Sequence, residues 1–149
     1  MSLAGALIIT LVAAGCGSSS KTSSTTKPIA ATAISKAEFV KRANAICVKG
    51  NAASKAAAAK LGAKPSESEI VTFVRSTEVP AVQAQIDAIR ALGAPPGDRA
   101  TIAQMLKLAE GAVKEVRIQP TVISSGVDVF SAFARVAHPY GLTSCAPGS

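Results

Sequence analysis

Tryptophan is absent from this sequence, and aromatic side chains of any kind make up 3% of its 149 residues. A core without large rings must be filled by aliphatic side chains and alanine, so helices can approach closely while each contact buries little area. Histidine occurs once, at His138, and the three cysteines include no Cys-x-x-Cys pair. That is too few ligands for a zinc site, and no metal or cofactor is expected. No glycine-rich phosphate loop is present: Pro95-Pro96-Gly97-Asp98 reads as a turn followed by a helix cap. No serine stands in a nucleophile-elbow context, and Glu67, Glu69 and Glu78 read as cap and surface residues rather than a paired-carboxylate site. Met105 falls on an apolar stripe and reads as core rather than as a haem ligand. Together these absences point away from an enzyme. The longest apolar run, residues 3–14, also falls short of the roughly 20 residues a membrane-spanning helix needs.

Acidic residues are scarce as well: nine against sixteen Lys and Arg, a net charge of +7. The imbalance is local. Residues 65–149 hold seven basic and eight acidic side chains, so the whole excess lies in residues 21–64, where nine Lys and Arg face Glu38 alone. At 100° per residue, Arg42, Lys49 and Lys60 fall on one flank of a first helix. Two readings are open for this flank. It faces anionic lipid headgroups, at about 1 kcal/mol per basic residue near the surface, or it is a solvated face that keeps the domain soluble. Nucleic acid is not an expected partner, because no aromatic residue but Phe39 interleaves the basic stretch.

The run at 3–14 is uncharged and leads into Gly15-Cys16-Gly17 and three serines. Its length of about 12 residues suits the apolar region of a signal peptide. The step from small residues into a lone cysteine resembles the lipobox of bacterial lipoproteins. That resemblance implies cleavage before Cys16, lipidation of its sulfur, and display on the extracytoplasmic face of the cell membrane. Two acyl chains anchor stably where one binds marginally. Residues 17–34 (GSSSKTSSTTKPIAATAI) contain almost nothing that forms a core and read as a flexible tether, with a root-mean-square reach of roughly 25 Å. The expected organisation is a signal peptide at 1–15, lipidated Cys16 and tether at 16–34, and a folded domain at 35–149. With Cys16 committed to lipid, Cys47 and Cys145 remain. In an exported domain such a pair reads as one disulfide; two reduced thiols or a thiolate site are the other readings.

The folded domain carries helical signals throughout. Ser35 and Glu38 form a capping box, followed by Phe39, Ala43, Ile46, Gly50, Ala53, Ala57 and Leu61 at spacings of three and four, until Gly62 and Pro65. Ser66 and Glu69 repeat the signature. A second stripe (Ile70, Phe73, Val74, Thr77) meets Pro80, which predicts a kink near Val79 and room for a groove between helices. The pattern resumes through Val82, Ile86, Ile89 and Leu92 to Gly93. Asp98 is the expected N-cap of a third helix, with Ile102, Met105, Leu106, Ala109, Val113 and Val116 inward and Pro120 after its end. Residues 119–126 read as a loop. A last helix is expected over 127–138, stopped by Pro139, with His138 set favourably against its dipole. Residues 93–97 read as an exposed loop stiffened by two prolines. The fold class is therefore all-α: an antiparallel four-helix bundle with a kinked second helix, stapled by one disulfide.

The lipobox at Cys16, the segments SKAEFVKRANAICVKGN (35–51) and ALGAPPGD (91–98), and YGLTSC (140–145) together resemble a group of small all-helical lipoproteins of high-GC Gram-positive bacteria. Cys47 and Cys145 stand where that group carries its paired cysteines. The resemblance implies architecture and location and no activity. The functional expectation is a membrane-anchored, non-enzymatic binding or scaffolding module of the cell envelope, with an envelope protein as its partner. The alternative is a carrier of a small apolar ligand, which requires a cavity of several hundred cubic ångströms lined by Ile, Val and Phe.

Overall fold

The structure, a computed structural model, describes residues 33–146. The expected signal peptide, Cys16 and the tether as far as residue 32 lie outside the described residues. Ile34, the last residue assigned to the tether by composition, is half-buried against the core.

Among the described residues every regular element is helical. Helix α1 (Lys36–Ala58) ends in a 3-10 turn (Ala59–Leu61). Helix α2 (Glu67–Phe73), a π turn (Val74–Glu78) and α3 (Val79–Ala91) follow one another without a break and form the second rod. Helix α4 (Arg99–Ile118) leads into a 3-10 segment (Pro120–Ser125), and α5 (Ser131–Tyr140) completes an all-α bundle of four antiparallel rods. Helix α3 packs against both α1 and α4, and α4 packs against α5.

The caps explain where the rods begin. The Ser66 hydroxyl accepts from Glu69 N, and the Glu69 carboxylate accepts from Ser66 N at 2.8 Å, a complete capping box. The Ser66 hydroxyl, and then its amide, hold the Glu69 carboxyl below its usual range. At α1 only half of the expected box forms. Ser35 Oγ accepts from Glu38 N at 3.2 Å, but the Glu38 side chain turns forward to Arg42 Nε at 2.6 Å. A charge-assisted bond to a guanidinium outcompetes a neutral amide.

The kink takes a specific form. Proline has no N–H, and its ring collides with the carbonyl four residues earlier in a regular helix. The chain answers with the wider π turn just before Pro80, in which Val79 N bonds Val74 O, five residues back. Val74 and Val79 are both buried.

Three expectations need correction. Asp98 precedes α4, but its side chain caps no first-turn amide; Asp98 Oδ2 instead accepts the Tyr140 hydroxyl at 2.7 Å. The last helix begins at Ser131, because Asp128 Oδ1 takes the Phe130 amide at 3.0 Å and holds the preceding residues in a turn. Pro139 lies inside α5 rather than after it. So near the end, its missing donor costs one bond, and the stop is made by Gly141 at φ 110°. There Leu142 N reaches Ala137 O and Gly141 N reaches His138 O, a Schellman arrangement.

The C-terminal tail closes the bundle onto α1. Asn44 donates to Gly141 O at 2.8 Å and accepts from Ser144 N at 2.9 Å. Asn51 donates to Ser144 O at 2.9 Å. Between them, Cys47 and Cys145 form the expected disulfide, with Cα atoms 4.9 Å apart. Phe39, wholly buried, meets Tyr140 edge to face at 6.1 Å.

Candidate functional site

At the end of the bundle where α1 finishes, α2 starts and α4 stops, a groove of about 530 Å³ opens. Ile70 and Phe73 of α2 form one wall, continued by Val74 of the π turn and Val79 and Val82 of α3. Val113 and Val116 of α4 form its floor. The fourth side is the irregular chain before α5, with Ile123, Val127, Val129 and Phe130. Helix α1 contributes only Ser54, Lys55 and Ala58 before Leu61 of its closing turn. Small residues on that rod are why the space stays open: alanine and serine cannot reach across to the valines opposite.

The mouth is apolar too. Val127 is 57% exposed and Ile123 44%, and Ile118, 70% exposed, ends the helix that leads to them. A single exposed aliphatic side chain is ordinary; several at the lip of an apolar groove mark a surface that receives something. The titratable groups lining the groove are Lys55, Glu78 and Asp128. Ion pairs among the described residues join Arg42 to Glu38, and Arg90 to Asp87 and Glu110, so Glu78 and Asp128 belong to none.

The residues singled out by sequence are dispersed. Cys16 lies outside the described residues. Arg42, Lys49 and Lys60 are all exposed. Arg42 and Lys49 lie on α1, whereas Lys60 falls in the 3-10 turn, where the 100° period no longer applies. Arg42 is paired with Glu38, whose carboxyl it holds below the usual range. His138 is half-buried, with Nε2 2.6 Å from Ala146 O, and does not line the groove. Met105 is buried in the core. In the stretch 93–97, Gly93, Pro96 and Gly97 are exposed as expected, but Pro95 is among the most deeply buried side chains. Among the described residues there is no group of three or more His, Cys, Asp or Glu placed to hold a metal ion, and no helix is long and apolar enough to cross a membrane.

The groove expected beside the Pro80 kink is present, but Pro80 itself is exposed and outside it; Val74, Glu78 and Val79 line it instead. Sequence reasoning missed Lys55, Glu78, Ile123, Val127 and Asp128. A usable signal was there: Val122, Ile123, Val127, Val129 and Phe130 are too many apolar residues for a solvent loop. No family model matches the chain, and no curated protein or solved structure is significantly similar to it.

Proposed function

We propose that this protein is a membrane-anchored extracytoplasmic lipoprotein, held through Cys16, whose bundle is a non-enzymatic module binding a small apolar ligand in the groove between α2, α3 and α4. The observation that carries the reading is the groove itself. Its volume of about 530 Å³ falls in the range of small-molecule sites, and its walls are Val, Ile and Phe with few polar groups, the usual composition of such sites. The anchor rests on the Cys16 motif and the tether composition. A carrier at a membrane needs both slack and an apolar receptacle, and the chain offers each.

Two measurements test this. Growth with a labelled fatty acid should label the wild-type protein and leave Cys16→Ala unlabelled; label on that variant overturns the anchor. For the groove, the neutral fluorophore N-phenyl-1-naphthylamine should bind the full Cys16→Ala chain saturably, with one site per chain. Val116→Phe should weaken that binding at least about tenfold by filling the floor. Non-saturable binding, or a filled variant that binds equally well, removes the ligand reading.

A further inference from the structure

The apolar groove does not end blindly. A second cavity of about 240 Å³ adjoins it, and the two share Glu78, Val82, Asp128 and Phe130 as common walls. Beyond that boundary the lining changes character. Asn51 of α1 and Gln85 of α3 enter, and no Lys, Arg or His lines this second space. Asn51 gives its amide nitrogen to Ser144 O at 2.9 Å, which leaves its oxygen as an acceptor. Asp128 is held by the bond from Phe130 N to Oδ1, which leaves its second oxygen as another. Glu78, half-buried at the end of the π turn, is in no ion pair among the described residues.

An apolar groove therefore adjoins a smaller and more polar space, with Glu78 and Asp128 on the shared boundary and Ala134, Cys145 and Ala146 beside Asn51 and Gln85 in its lining. Charge complementarity for such a pair of spaces is an amphiphile with an apolar body and a cationic head. Phe130 at the junction adds a ring of the kind that attracts ammonium groups. An anionic head would have only Lys55 to turn to, which lines the groove and not the second cavity.

We infer that the ligand is an amine-bearing amphiphile, its chain in the Val/Ile/Phe groove and its ammonium head between Glu78 and Asp128. This rests on the ligand-binding reading above and adds the head group to it. The test is displacement of N-phenyl-1-naphthylamine from the full Cys16→Ala chain by decylammonium, decanol and decanoate, each below its micelle concentration. Decylammonium should displace at a concentration about tenfold lower than decanol, and decanoate should be weakest. Glu78→Gln with Asp128→Asn, changes that keep shape and the acceptor for Phe130 N, should bring the amine and the alcohol to equal potency.

Equal displacement by amine and alcohol in the wild type overturns the head-group inference and leaves the groove reading standing. Strongest displacement by decanoate, lost in Lys55→Gln, overturns it in favour of an anionic head. Failure of the fluorophore to bind at all overturns both.

Discussion

Tyr140 joins three parts of the molecule. Its ring meets Phe39 of α1, the Lys36 ammonium lies 4.3 Å from the ring centroid, and its hydroxyl donates to Asp98 ahead of α4. Burial, and then the bond to Asp98, push its phenol above the ordinary value of 10.0. A proton held more tightly in the folded than in the unfolded state makes a contribution that is complete below pH ~10 and is lost as pH rises beyond it. The urea midpoint of the wild type should therefore fall more between pH 9 and 11 than that of Tyr140→Phe. Parallel declines in the two proteins would show that the phenol contributes nothing to the alkaline loss. Asp98 was legible in the sequence as a residue at a helix start, since Asp before an apolar stripe is a local signal. Its true partner stands 42 residues away, and no local pattern encodes that.

Among the elements, the second rod shows how far a pattern carries. The stripes before and after Pro80 were readable from spacing alone, and so was the need for an irregularity near Val79. The form of the irregularity depends on the neighbours. Absorbing the proline in a π turn keeps Val74 and Val79 buried, and α1 and α4 settle which side chains must stay inward. Because the π turn has already removed the clash, Pro80→Ala should change stability by less than about 1 kcal/mol, well under the ~3 kcal/mol of a proline inside a regular helix. Urea unfolding checks this, and a gain near 3 kcal/mol would mean that the strain is still present. The chain before α5 was hidden for a related reason. Its apolar residues follow neither a 2- nor a 3.6-residue period, and they become a groove wall only against α2 and α4.

For the whole molecule, the disulfide couples the first rod to the last residues of the fold across 98 positions. Closing so long a loop in the unfolded chain stabilises by roughly 4–5 kcal/mol in the chain-entropy model. The bonds of Asn44 and Asn51 lie on either side of the bridge. Replacing Cys47 and Cys145 with alanine should lower the unfolding free energy by about that amount and loosen the tail first. Hydrogen exchange at residues 140–146 should rise before exchange in α3 and α4; uniform acceleration would place the bridge in the global unfolding unit alone.

The sequence by itself determined what depends on neighbours along the chain. It gave the helical rods by their periods, their starts at Ser35 and Ser66, the irregularity before Pro80, and the candidate anchor at Cys16. It offered a Cys47–Cys145 disulfide as one of three readings, and the structure forms that bond. Only the tertiary structure decided what depends on residues distant in sequence. It turned Asp98 from cap to hydrogen-bond partner, buried Pro95, and set Ser54 and Ala58 opposite Val113 and Val116 so that a groove remained. It also placed Glu78 and Asp128, 50 positions apart, on one boundary between an apolar groove and a more polar space. A cavity is the volume left between elements, and spacing within one element carries no record of it.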